Sequence, residues 1–200
     1  MLFRKEIQPV KTLFINACVR DNSRTLILAR RLLEKLGGDI EEVFLPEENI
    51  LPLDGKSLAR RDELLRNGEL DAPEFRYARQ FAAADVIVIA APLWDLSFPA
   101  CLKCYIEAIM VSGMTFQYSG DRPHSLCRAK KLIYVTTSGG EFIQDYGYNY
   151  VEGLAHYFFG IKDTMCLLAE NLDIEGADVD EILKSHIEYI DSLDFSEKGE

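Results

Sequence analysis

Apolar runs and amphipathic stretches alternate along the chain. Thr12–Asn16 (TLFIN) is a short apolar run rich in strand-forming residues. Behind it, Leu26, Ala29, Leu32, Leu33 and Leu36 fall on one helical face over 26–36, and Gly37-Gly38 stops the pattern. Glu41–Leu45 predicts a second strand, and residues 46–55, with Pro46 and Pro52, a loop. Residues 56–68 and 73–84 predict two helices split by Asp71-Ala72-Pro73. Asp85–Ala91 (DVIVIAA) is the strongest strand signal. It is apolar without alternation, as a central parallel strand covered on both faces must be. A loop at 92–99, a helix at Ala100–Ser112 and a second buried-type strand at Lys131–Thr137 (KLIYVTT) follow. Residues 138–149 form a loop rich in Gly and Tyr, 150–160 a helix, Asp163–Leu168 a strand, and Asp178–Leu193 a final helix.

Five buried strands separated by helices predict a doubly wound α/β domain with a parallel sheet and helices on both faces. The 200 residues suit one domain over 1–200, closed by an acidic helix and short tail at 178–200. Five strands fit the flavodoxin-like order 2-1-3-4-5 better than a six-strand dinucleotide fold. In such a sheet a ligand sits beyond the carboxyl ends of the strands, where the winding reverses. The loops after the first, third and fourth strands are therefore the ones to inspect.

Charge narrows the partners. The net charge is −11, and residues 169–200 hold most of it, with acids throughout against only Lys184 and Lys198. Polyanions are repelled by such a chain, so nucleic acid and anionic membrane surfaces are not expected partners. Five cysteines and a start (MLFRKEIQPVKTLFI) without a signal-like pattern predict a reducing, cytoplasmic setting. The apolar runs are well short of the ~18 residues of a membrane span.

The loop after the first strand, Ala17-Cys18-Val19-Arg20-Asp21-Asn22-Ser23-Arg24-Thr25, opens a helix. Hydroxyls, two arginines and free helix N–H groups suit a phosphate. Plain helix capping needs the same residue types, so both readings stand. Neither Gly-x-x-x-x-Gly-Lys nor Gly-x-Gly-x-x-Gly is present. The loop after the third strand, Pro92 to Pro99, holds the only Trp of the chain, Trp94, beside Leu93, Leu96 and Phe98. Flat apolar groups there suit a planar ring; a buried loop anchoring the next helix is the alternative. After the fourth strand, Thr137 and Ser138 offer hydroxyls, and Gly139-Gly140 lets backbone approach a ligand or simply turn.

These loops carry a resemblance. APLWDLSFPACLKCYIEAIMVSGMTFQYS, followed by KKLIYVTTSGG, resembles the FMN-dependent NADH-azoreductase and NAD(P)H:quinone oxidoreductase family of flavodoxin-like proteins. That family has a Pro-Met-Tyr-Asn-Phe loop, a helix, a Gly-Val-Thr-Phe-x-Tyr segment and a later Gly-Gly. The resemblance runs from the first strand to about residue 190 and is strongest over 90–140. It implies FMN as cofactor, NAD(P)H as electron donor, and hydride transfer by alternation to a quinone or azo compound. It implies that Ser23 and Thr25, with Arg24 between them, hold the FMN phosphate. Pro92, Leu93, Trp94, Asp95 and Leu96 match the loop along the flavin ring, and Thr137, Ser138, Gly139 and Gly140 the turn at its far edge. Members are usually homodimers. Three positions depart from the pattern: Ala17 stands where a Ser is frequent, Ser138 replaces an Arg, and Asp95 replaces the Asn expected to face the flavin. A carboxylate accepts hydrogen bonds and donates none, so these changes bear on the substrate more than on the cofactor.

Other constellations are weaker. Cys101-x-x-Cys104 fits either a redox or metal pair or two small buried side chains. His124, His156 and His186 are scattered, and no metal site is expected. Tyr146, Tyr148, Tyr150 and Tyr157 with Phe158 and Phe159 form an aromatic cluster. It serves core and dimer packing, or Phe142, Tyr146 or Tyr148 contacts substrate above the flavin. The flavin carries the chemistry in this reading, so no protein acid or base is named. An FMN electron carrier, or an FMN reductase without quinone or azo turnover, is the alternative function.

Overall fold

In the computed structural model, which describes residues 9–142 and 146–195, the elements are β1 (Lys11–Asn16), α1 (Arg24–Leu36), β2 (Asp39–Phe44), α2 (Gly55–Asn67), a 3-10 turn (Pro73–Phe75), α3 (Arg76–Ala83), β3 (Val86–Ala90), α4 (Ala100–Ile109), β4 (Phe116–Ser119), β5 (Arg122–Ser125), β6 (Lys131–Thr137), α5 (Tyr148–Tyr157), β7 (Asp163–Ala169) and α6 (Val179–Ser192). The uninterrupted apolar character of the central strands has a direct cause. Side chains alternate between two faces, and both faces are covered. Leu13 and Ile15 of β1, Ile87 and Ile89 of β3, and Leu132 and Tyr134 of β6 enter one apolar cluster with α3, α4 and α5. Phe14, Val88, Ala90, Ile133 and Val135 enter the other with α1 and α6.

The main sheet is parallel throughout, in the order β2-β1-β3-β6-β7. Counted over its own strands, that is the expected 2-1-3-4-5. β1 pairs with β2 on one side and β3 on the other, so the winding reverses there, and Asn16 and Ala90 end side by side.

The structure adjusts several bounds. α1 begins at Arg24, two residues ahead of the apolar stripe, because Ser23 caps it. The predicted helix at 73–84 opens as a 3-10 turn with Pro73 at its start. α4 ends at Ile109 rather than Ser112, and Gly113 (φ 88°) turns the chain into a hairpin that the apolar pattern did not predict. That hairpin pairs β4 with β5 antiparallel around Gly120-Asp121, with Gly120 at φ 64°. A Gly-Asp pair between two short runs is the signal that could have found it. Among the described residues no helix is long and apolar enough to cross a membrane.

Candidate functional site

The strands β1, β3, β6 and β7 deliver four loops to one end of the sheet, and these line one cleft of about 290 Å³. The first loop contributes Arg20, Asn22, Ser23, Arg24 and Thr25, and the second Pro92, Leu93 and Trp94. The third contributes Thr137, Ser138 and Gly139, and the fourth Leu172 and Asp173.

The α1 end of the cleft gathers hydroxyls, helix N–H groups and two arginines, with the Asp173 carboxylate beside them. Ser23 is extended (φ −64°, ψ 120°), and its Oγ accepts from the Leu26 N–H at 3.3 Å. In a first turn the N–H groups of Arg24 and Thr25 have no intrahelical acceptor, and the helix dipole points its positive end at the cleft. The Thr25 and Thr137 hydroxyls meet at 2.6 Å in a buried pair that ties α1 to β6. One of the pair's two hydroxyl protons fills that bond and the other remains for a ligand. Arg24 Nη1 donates to the Leu172 carbonyl at 2.9 Å and to Asp173 Oδ1 at 2.7 Å. Arg20 lines the cleft and is exposed, with no salt bridge among the described residues.

The third and fourth loops lock onto each other. The N–H groups of Asn171, Leu172 and Asp173 donate to the carbonyls of Gly140, Ser138 and Gly139 at 3.2, 3.2 and 2.7 Å. A Cβ at Gly139 would sit 2.4 Å from Asp173 Oδ2 and 3.2 Å from its Cβ, so a side chain there would push the carboxylate from its present position. The Ser138 hydroxyl donates to the Gly140 carbonyl at 2.8 Å and so stabilises its own turn.

The second loop supplies the flat apolar wall. Leu93 N–H donates to the Thr137 carbonyl at 3.0 Å, fixing the loop against β6. Trp94 and Ser97 exchange both backbone hydrogen bonds, at 3.1 and 2.8 Å, around Asp95 (φ 52°) and Leu96 (φ 64°). Left-handed geometry at both central residues is that of a type I′ turn. Asp tolerates it; Leu pays roughly 1–2 kcal/mol, a local strain of the kind found at ligand sites. α4 starts after Pro99 with no side-chain cap, so Asp95 does not serve as its cap.

Not every sequence-predicted residue reaches the cleft wall. Ala17 is fully buried, its N–H donating to the Ala90 carbonyl at 2.8 Å. Asp95 and Leu96 stand exposed at the turn tip, outside the lining set, as is Gly140. Phe142 is held through its N–H by Glu170 Oε2 at 2.9 Å. Tyr146 has an exposed side chain, and its carbonyl accepts from the Ser97 hydroxyl at 3.4 Å. Tyr148 instead turns toward Tyr134 and donates to Glu152 Oε1 at 2.8 Å; burial pushes its hydroxyl up to about 12. Residues 143–145 of this loop lie outside the described residues. Asn22, a capping type of the first loop, lines the cleft with Leu172 and Asp173, and the last two are residues that the sequence did not single out. Cys101 and Cys104 are half-buried free thiols on α4, and burial raises Cys101, which suits packing rather than redox chemistry.

Residues 10–193 match the family described as having a flavodoxin-like fold. The chain belongs to that family. Among its flavodoxin-like relatives is a protein of Clostridium perfringens (strain ATCC 13124) named FMN-dependent NADH:quinone oxidoreductase, 34% identical, covering 92% of this chain and 97% of its own length. A second from C. perfringens strain 13, FMN-dependent NADH:quinone oxidoreductase 2, is 36% identical with the same coverage of both chains. The fold also matches the FMN-dependent NADH-azoreductase of Bacillus anthracis solved in complex with FMN. That match has a TM-score of 0.76 and 24% identity, over 90% of this chain and 95% of the other.

Proposed function

We propose that the protein is an FMN-dependent oxidoreductase, its length forming one FMN-binding domain, that passes two electrons from NAD(P)H to quinones, azo compounds or similar acceptors. One observation carries the reading: a helix N-terminus with hydroxyls and arginine, and an apolar loop bearing Trp94, converge on one cleft at the winding reversal. The donor set fits a phosphate monoester at one end and a planar ring at the other. Relatives at 34% and 36% identity named for FMN and NADH support it. Bound FMN supplies the hydride acceptance and release.

The chain's own residues bind and orient. Ser23, Thr25 and the first-turn N–H groups hold the phosphate, with Arg24 beside them. Pro92, Leu93 and Trp94 lie along the ring, and Asp95 and Leu96 project from the turn beyond it. Thr137, Ser138 and Gly139 form the opposite rim, backed by Gly140, and Ala17 supports the floor from the core. Of the substrate candidates, Tyr146 is exposed, Phe142 is held through its N–H by Glu170, and Tyr148 is committed to Glu152.

The same reading makes the protein a cytoplasmic homodimer. Exposed Trp94, Leu96, Tyr146, Tyr150 and Tyr157 give an apolar surface around the cleft and along α5 for an isologous contact. A light-scattering mass of one chain at micromolar concentration with FMN present would refute the dimer. The function is tested by anaerobic titration of the purified yellow protein with NADH and NADPH, then a panel of acceptors. Bleaching by a nicotinamide and recovery with a quinone or azo dye is the expected result. Protein that binds no flavin sinks the proposal; flavin that nicotinamides do not bleach points to an electron carrier.

A further inference from the structure

We infer that Asp173 is a built-in competitor for the phosphate of the cofactor, holding Arg24 until a phosphate takes its place; this rests on the flavin reading above. The carboxylate lies at the anion end of the cleft. Its Oδ1 accepts from Arg24 Nη1 at 2.7 Å, and its Oδ2 lies over Gly139, where a Cβ would come within 2.4 Å. The missing side chain at Gly139 is the seat of the carboxylate.

The backbone fixes the competitor in place. Three hydrogen bonds zip residues 171–173 onto 138–140, so Asp173 cannot leave by loop movement without breaking them. Its side chain is free to rotate, being 69% exposed. The same Nη1 also donates to the Leu172 carbonyl at 2.9 Å, a bond that does not depend on the carboxylate and keeps the guanidinium beside this loop when Asp173 lets go.

Two anions thus contend for one cation. A phosphate matches the guanidinium fork bidentately and carries more charge than a carboxylate. The carboxylate has the advantage of being tethered, which gives it a high effective concentration. A small free phosphate has the Ser23 and Thr25 hydroxyls and the first-turn N–H groups to meet, but no ring contact to add to them. FMN brings its ring against Leu93 and Trp94, and that added binding lets its phosphate win. Asp173 therefore makes the site discriminate between a flavin phosphate and other small phosphates, at the expense of absolute FMN affinity. The other acid of this loop, Glu170, is engaged with the Phe142 N–H and does not contact Arg24 in the structure.

The test uses the full-length protein stripped of flavin, with wild type, Asp173→Asn, Arg24→Gln and the double variant. FMN and riboflavin affinities are read by quenching of flavin fluorescence. Asp173→Asn is expected to tighten FMN about three- to tenfold, the scale of one screened charge pair. Riboflavin, lacking the phosphate, should not change. In the Arg24→Gln background the gain should vanish. Inorganic phosphate should raise the melting temperature of Asp173→Asn at concentrations that leave wild type unmoved. Asp173→Ser, which also lacks the charge, should behave like Asp173→Asn and guards against a packing artefact. FMN affinity that is unchanged or weaker in both charge-removing variants overturns the inference, as does tightening that persists without Arg24. Wild-type protein that binds no FMN defeats the flavin reading, while the phosphate melting shift still decides whether Asp173 competes.

Discussion

Replacing Ser23 separates two jobs performed by one oxygen. Ser23 Oγ accepts from the Leu26 N–H at 3.3 Å as the cap of α1. Among the described residues its proton has only the Cys18 thiol, a weak acceptor, as a neighbouring partner, and in the proposed function it turns to phosphate. Alanine removes both contributions. Loss of the cap costs about 1 kcal/mol, which lowers the melting temperature by about 2–4 °C in a chain of this size. Glycine is nearly as good a cap, costing only a few tenths of a kcal/mol. Either substitution removes a hydrogen bond to a charged group, worth about 1.5–3 kcal/mol, or about 10- to 150-fold in dissociation constant. Ser23→Gly should therefore melt within about 1 °C of wild type yet bind FMN at least about tenfold more weakly. Ser23→Ala should lose both stability and affinity. The assay is flavin fluorescence quenching beside thermal unfolding, with riboflavin as the ligand that lacks a phosphate. FMN affinity in Ser23→Gly within about twofold of wild type refutes the phosphate role and leaves the hydroxyl as a cap. Equal weakening of FMN and riboflavin places the damage in the fold instead.

Asp95→Asn should raise the flavin midpoint potential, because a carboxylate opposes the negative charge that reduction adds to the ring and an amide does not; no change or a fall means that Asp95 does not face the flavin. Tyr105 is fully buried with a hydroxyl that has no partner among the described residues, so Tyr105→Phe should stabilise by about 1 kcal/mol in urea unfolding. A loss of stability would reveal a bonded hydroxyl. Thr25→Val strands the buried Thr137 hydroxyl and should destabilise by about 1–3 kcal/mol. Burial pushes Cys18 up to about 11 and Cys127 to about 12, so both should stay unalkylated in native protein at about pH 8. Peptide mass spectrometry after labelling reads this, and rapid modification of either one contradicts its burial.

The fold was legible because both faces of the central strands must be apolar. Leu13, Ile15, Ile87, Ile89, Leu132 and Tyr134 on one side, with Phe14, Val88, Ile133 and Val135 on the other, make each run nearly continuous in sequence. The hairpin at Phe116–Ser125 escaped because β4 buries only Phe116, so no apolar periodicity marks it and only its turn does. The site divides along a similar line. Ser23, Thr25 and Trp94 could be found because a cap, a hydroxyl or an indole declares its chemistry locally. Leu172 and Asp173 could not, because their importance comes from contact with Gly139 and Arg24, which are distant in sequence. The topology offered the remaining route: β7 lies beside β6 in the sheet, so the loop after it must reach the same end. Asp95 shows what such reasoning yields when structure is added. The turn demands a left-handed residue, which Asp and Asn both provide, and α4 takes no side-chain cap from it. Neither backbone geometry nor capping therefore accounts for a carboxyl in place of the amide. What remains is the charge and the missing donor, and these act only on whatever the turn tip faces.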